Sequence, residues 1–124
     1  MDRKVKVFEV FEDFERACKD KEVGELFYRI NMKQEEATEM RQAADGRTTT
    51  VKGARTEGNL ELTAVSRDGS EMLYFANPVG SIVIASEEDA GAFSKMMKDA
   101  VDAVVLDFQK VYPSCRLIRG RVGF

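Results

Sequence analysis

The sequence of 124 residues contains no histidine and no tryptophan, and it has only two cysteines and two prolines. Without histidine, the chain lacks the commonest general base, the serine–histidine–aspartate and cysteine–histidine arrangements, and most zinc sites. Cys18 and Cys115 lie outside any Cys-X-X-Cys motif, so we expect two structural thiols. Phosphate-binding, dinucleotide-binding and calcium-binding loop motifs are also missing. We therefore expect a protein without catalytic residues, cofactor or bound metal.

Long apolar runs are missing as well. The longest are "IVIA" (82–85) and "AVVL" (103–106), far short of the roughly 20 residues that span a bilayer. The N-terminal "MDRKVKVFEV" is charged from the start and has no apolar signal segment. With 44% hydrophobic and 33% charged residues, the composition is typical of a globular protein. We expect one cytoplasmic domain covering residues 1–124, without membrane contact.

The first third of the chain changes its apolar period twice. Alternation over 4–10 predicts a short strand, and a helical apolar face predicts a helix over 9–20. The segment 22–46 is ambiguous, because its residues up to Met32 also alternate as a strand would. Good helix formers at 33–44 favour a helix throughout, ended by Asp45-Gly46.

The middle of the chain predicts short strands at 48–54, 59–66, 70–77 and 80–86. The joints carry turn residues: Glu57-Gly58-Asn59, then "RDGS" (67–70), then "NPVG" (77–80). Ser86 is predicted to cap a long helix that ends near Tyr112, and a last strand follows at 115–123. The sequence thus predicts an α+β domain: an antiparallel four- to five-stranded meander with N-terminal helices and one long C-terminal helix packed on the sheet.

The long helix carries more apolar surface than one sheet face can cover. Between residues 100 and 108, seven of nine residues are apolar. A helix that is apolar on most sides is buried on most sides. Either the N-terminal helices cover the second side, or a second subunit does. The predicted subunit interface consists of Val101, Val105, Leu106 and Phe108.

Positive charge is concentrated in two segments of a chain whose net charge is −3. Residues 41–59 hold four cations against two anions, and residues 110–124 hold four cations and no anion. If the two segments are neighbours in the sheet, their arginines could bind a phosphate or carboxylate. The predicted anion-binding set is Arg47, Lys52, Arg55, Arg116, Arg119 and Arg121. Alternatively, these cations pair with acids of the same fold or protect sheet edges.

These features favour a small non-catalytic protein that binds another protein as a regulator, adaptor or inhibitor, and that forms a homodimer. The alternative is a binder of a small, nucleotide-like anion through the converging arginines. An enzyme using carboxylates and a metal is the weakest hypothesis. Duplex nucleic acid is a poor partner, because a sequence pI near 5.1 implies repulsion of the phosphate backbone.

Overall fold

The computed structural model describes residues 4–120, whose strands form one mixed sheet with the order β1-β4-β3-β2-β5. The elements are β1 (Lys4–Phe8), α1 (Phe11–Asp20), β2 (Val23–Gln42), β3 (Thr48–Ser66), β4 (Glu71–Ile84), α2 (Glu87–Val111) and β5 (Arg116–Arg119). The predicted α+β class is confirmed. The purely antiparallel meander is wrong, because β1 pairs parallel with β4, and β5 pairs parallel with β2.

The two parallel pairs follow from the helices. Only the β2–β3 and β3–β4 connections are direct hairpins, and these pairs are antiparallel. α1 joins β1 to β2, and α2 joins β4 to β5, so each helix connects two strands that run in the same direction. Such crossovers place a helix on a face of the sheet. Both helices lie on one face, where Phe14 of α1 packs against Phe75 of β4 and Phe108 of α2.

The predicted helix over 22–46 is wrong, and the strand alternative for 22–32 is the one that the structure adopts. β2 is a single strand of 20 residues that pairs with β3 along its length, from Val23 opposite Ser66 to Gln42 opposite Thr48. The helix formers at 33–44 therefore lie opposite the threonine- and valine-rich start of β3. Strand pairing overrides a weak helix propensity here. Asp45 and Gly46 turn the hairpin, and Gly46 has a φ of 87°.

Two predicted turns lie inside strands. β3 continues through Glu57-Gly58-Asn59, where α2 crosses so closely that a Cβ at residue 58 would overlap the Sδ atom of Met97. β4 continues through residues 77–80 with one shift in register, since Gly58 lies opposite Gly80 and Asn59 lies opposite Pro78. The turn-type residues at 77–80 therefore mark a β-bulge, which accommodates a proline within a strand.

Three local predictions are confirmed. The 67–70 segment turns the β3–β4 hairpin, and Asp68 accepts hydrogen bonds from the backbone and hydroxyl of Ser70 and from the hydroxyl of Ser66. These bonds lower the pKa of Asp68 to about 2. Ser86 caps α2, with its hydroxyl accepting from the Asp89 N–H at 3.2 Å. The helix predicted over 9–20 spans Phe11–Asp20.

The core lies between the helices and the facing side of β2, β3 and β4. Its largest fully buried apolar side chains are Phe14, Phe108, Leu26 and Leu62. The Tyr112 hydroxyl donates to the Glu15 carbonyl at 2.8 Å and so ties the end of α2 to α1. Each fully buried apolar side chain of this size contributes roughly 1.5–3 kcal/mol to folding.

Candidate interaction surfaces

The predicted anion-binding cations do not converge within the described residues. β3 and β5 lie on opposite sides of β2, with Arg55 opposite Glu35 and Arg119 opposite Tyr28. These positions are seven β2 residues apart, which is roughly 23 Å along a strand. Arg121 lies outside the described residues. The geometry that the anion hypothesis requires is therefore not present between residues 47–55 and 116–119.

Three of the predicted cations lie beside acids instead. Arg55 is the cross-strand partner of Glu35, and Arg116 is the partner of Glu25. Direct cross-strand neighbours share one face of the sheet. Arg47 forms an exposed ion pair with Asp45 at 3.5 Å. The alternative interpretation of the charge pattern, pairing within the fold, thus holds for Arg47, while Arg55 and Arg116 lie next to an acid without an ion pair within 4.0 Å among the described residues. Lys52 lies opposite Thr38, and Arg119 lines a groove beside α2.

Sequence reasoning missed Arg41, a cation that contacts three other residues at once. Its guanidinium donates to Glu39 at 2.7 Å, to the Asp89 carboxylate at 3.0 Å and to the Val83 carbonyl at 2.7 Å. The Ala85 backbone N–H also donates to Asp89, and together with Arg41 it lowers the pKa of that carboxyl. Arg41 thus ties the tip of the β2–β3 hairpin to the start of α2, a contact that no local sequence pattern signals.

The predicted α2 interface divides between the core and the surface. Phe108 is only 1% exposed and packs against the rings of Phe14 and Tyr112, so it is unavailable to a partner. Val101 packs against the core, whereas Leu106 is 57% exposed and Val105 is half-buried. α1 therefore contacts α2 near the C-terminal end of that helix, at Phe108 and Tyr112. Burial therefore excludes Phe108 from the predicted interface, while the roles predicted for Val101, Val105 and Leu106 stay predictions.

The other face of the sheet carries neither helix, and we call it the helix-free face. Its middle row runs through direct cross-strand partners from one edge of the sheet to the other. The row consists of Val7, Tyr74, Thr63, Phe27 and Ile118. A second row begins with Val5, Met72 and Val65 and ends with Glu25 and Arg116. Val5 and Val7 are 57% and 65% exposed.

The charges on the helix-free face occur in opposite pairs. Arg29 donates to Glu61 across the β2–β3 pair at 2.9 Å. Glu25 lies opposite Arg116, Lys33 opposite Glu57, and Glu35 opposite Arg55. Partial burial raises the pKa of Tyr74, and the nearby Glu61 carboxylate adds to the shift. The face is therefore apolar at its centre and electrically balanced around it.

The sequence contained a signal for this face. In β3, Thr63 and Val65 alternate with the buried Leu62 and Ala64, and in β4, Met72 and Tyr74 alternate with Leu73 and Phe75. Strands of an antiparallel sheet with one solvated face normally alternate apolar with polar residues. Apolar residues of both parities in β4 therefore predict that the sheet is apolar on both faces.

A groove lies on the side of the sheet that carries the helices, between β2, α2 and the end of β5. This groove has a volume of about 440 Å³. Its apolar lining is Ile30, Met32, Phe93, Met97 and Val101, and its polar lining is Ser94, Lys98, Asp102 and Arg119. Met32 is 59% exposed at its rim. The groove is open to solvent beside the outer edge of β2.

Reactive groups give no candidate active site within residues 4–120. Burial raises the pKa of Cys18 to about 12, so this thiol is protonated and a poor nucleophile at neutral pH. Burial also raises the pKa of Cys115. Between the helices, burial and the neighbouring Asp107 carboxyl raise the pKa of Glu15. No cluster of three or more potential metal ligands occurs among the described residues.

Comparison of the chain with protein-family models, curated proteins and solved structures finds no match. Within residues 4–120, no helix combines the length and the apolar character needed to cross a membrane.

Proposed function

We propose that this protein is a small non-catalytic protein-binding module that acts as a regulator, adaptor or inhibitor, and that two copies associate through their helix-free faces. The observation that carries the proposal is the uninterrupted row from Val7 to Ile118 across all five strands. Two such rows cover about 300–400 Å² at ordinary strand spacing. Only part of that area is exposed apolar surface, because Val65 and Met72 are buried and Glu25 and Arg116 are charged. An exposed apolar patch on a monomer is often functional.

A second copy of the chain is the occupant that this face favours. Its charges cancel in cross-strand pairs, so the face does not select a charged partner, and identical copies do not repel each other. Two sheets pack readily face to face at a separation of about 10 Å. With its polar rows, the face offers about 600 Å² per copy, against about 800 Å² in a standard interface. We therefore expect a two-fold symmetric dimer that dissociates on dilution.

Sedimentation velocity over a concentration series tests this proposal. The double variant Val5→Lys/Val7→Lys should remain a 13.9 kDa monomer at concentrations where the unmodified chain sediments as a dimer. Both side chains are more than half exposed, so the substitutions should leave the fold intact. Leu106→Lys is the matched control on α2 and should leave the dimer unchanged. A dimer lost through Leu106→Lys, or a wild-type chain that stays monomeric at millimolar concentration, would contradict the proposal.

A further inference from the structure

The outer edge of β2 beyond Tyr28 is unpaired among the described residues. β5 pairs with β2 only from Glu25 to Tyr28, while β2 itself continues to Gln42. The Tyr28 carbonyl points outward, because it accepts a hydrogen bond from the Gly120 N–H at 2.9 Å. Backbone direction alternates along a strand, so the backbone groups of Ile30, Met32 and Gln34 point outward too.

The outer edges of β4 and β2 differ in how well they are protected against the addition of another strand. Beyond its pairing with β1, β4 contains Pro78 and a register shift, both of which hinder the addition of a strand. β2 pairs with β3 in regular register from Glu25 to Gln42 and contains no proline. A regular, unpaired edge is a template for another extended chain.

The groove described above lies directly beside this edge. The side chains of Ile30 and Met32 line it, so a strand added along β2 would place alternate side chains over Phe93, Met97 and Val101. An apolar side chain fits that lining. A small apolar molecule would fill the groove equally well, but it would leave the outward backbone groups of β2 unused.

The charged residues that line the groove indicate which charge the partner segment should carry. Two cations, Lys98 and Arg119, line it against one anion, Asp102. Arg119 makes no ion pair within residues 4–120, whereas Arg116 on the same strand lies opposite Glu25 on the other face. The arginine fork suits a carboxylate. An acidic side chain at an alternate position of the added strand, on the same side as the apolar anchor, would therefore complete the site.

We propose that the β2 edge and its groove bind an extended segment of a partner protein as an added strand, with a large apolar residue over Met97 and, at an alternate position on the same side of that strand, an acidic residue against Arg119. This inference rests on the proposed protein-binding function and names the kind of segment recognised. It does not require the dimer, because the helix-free face and the groove lie on opposite sides of the sheet.

Selection from a display library of random linear peptides tests the proposal. The enriched sequences should share an apolar residue and an acid at alternate positions, so that both face the groove. The best of these peptides is then synthesised and its affinity measured by fluorescence anisotropy. Arg119→Gln should weaken binding by about tenfold or more, since it removes a charged hydrogen bond. Arg116→Gln, the matched control, should bind the peptide as the unmodified chain does. Backbone amide shifts should be largest at Ile30, Met32 and Gln34.

Three outcomes would overturn this inference: no enriched peptide, equal loss of affinity in the two arginine variants, or amide shifts confined to the helix-free face. Repeating the titration with Val5→Lys/Val7→Lys separates the two proposals. If that variant binds the peptide as tightly as the unmodified chain does, the peptide site at the β2 edge is supported even if the dimer is disproved. If the chain dimerises but no peptide is selected, the dimer through the helix-free face is supported and the peptide site at the β2 edge is disproved.

Discussion

The two faces of the sheet are built from similar residues but differ in what covers them. On the helix-covered face, Leu62 and Phe75 pack under Phe14 and Phe108 and are almost inaccessible. On the helix-free face, Val7, Tyr74 and Phe27 lie in one row across the strands, and Val7 is 65% exposed, whereas Val65 and Met72 of the next row are buried. The comparison teaches that a similar apolar pattern occurs on the face that the helices cover and on the face that they leave uncovered. Only the chain's connectivity decides which face is covered within the molecule.

The largest expected difference between the faces is in stability. Phe14→Ala should lower the free energy of unfolding by about 3–5 kcal/mol, because it opens a cavity under Phe75 and Phe108. Val7→Thr keeps a β-branched side chain in an exposed strand and should change the free energy by less than about 0.5 kcal/mol. Urea denaturation of both variants, at a concentration where the chain is monomeric, measures the contrast. Similar losses from the two substitutions would mean that the helix-free face is also packed within one subunit.

A smaller effect tests how tightly α2 lies on the covered face. A Cβ at Gly58 would overlap Met97 and approach Phe93 Cζ to 3.2 Å. Gly58→Ala should therefore destabilise the fold by about 1–3 kcal/mol through overpacking. Truncating Met97 in the same chain should reduce that penalty, since neighbouring substitutions are coupled.

Gly91 provides the control for this substitution. It lies in α2, and a Cβ at this position would have no heavy atom of another element within 4 Å, so its replacement meets open space. Gly91→Ala should stabilise the protein by about 0.5–1 kcal/mol, the usual gain inside a helix. If Gly58→Ala also raised the thermal unfolding temperature, the close packing of α2 on β3 at residue 58 would be disproved.

Local chemistry predicted the elements whose structure depends on neighbours in sequence. The Ser86 cap, the turn at 67–70 and the helix after residue 10 rest on side chains that bond to or pack on the adjacent turn. The same reasoning failed for residues 33–44, because pairing with β3 decides their conformation. It also failed for Gly58, where proximity to Met97, not a turn, calls for glycine.

The candidate surfaces could be predicted only in part, for a related reason. Charge segregation and the apolar excess of α2 are visible in the sequence, but the partners of those residues depend on strand order. Arg55 and Arg119 are separated by β2, and Phe108 is covered by α1. The helix-free face was signalled by apolar residues of both parities in β4, although only the register aligns them with Val7 and Phe27.

The smallest predicted effect is a change in stability on charge reversal. It distinguishes cations that neutralise an acid on the helix-free face from cations that are available to bind an external anion. Arg55 lies opposite Glu35 on that face, whereas Lys52 of the same strand lies opposite Thr38 with its side chain on the other side. Arg55→Glu should cost about 0.2–1 kcal/mol, and the swap Glu35→Arg/Arg55→Glu should recover most of it, as expected of a cross-strand pair. Lys52→Glu should show no such coupling to Thr38→Arg. A double-mutant cycle in urea at low salt measures these terms.

If the Arg55 cycle gave no coupling and inorganic phosphate stabilised the unmodified chain but not Arg55→Glu, the cation would serve an external anion, and the balanced charge of the face would no longer favour a second copy.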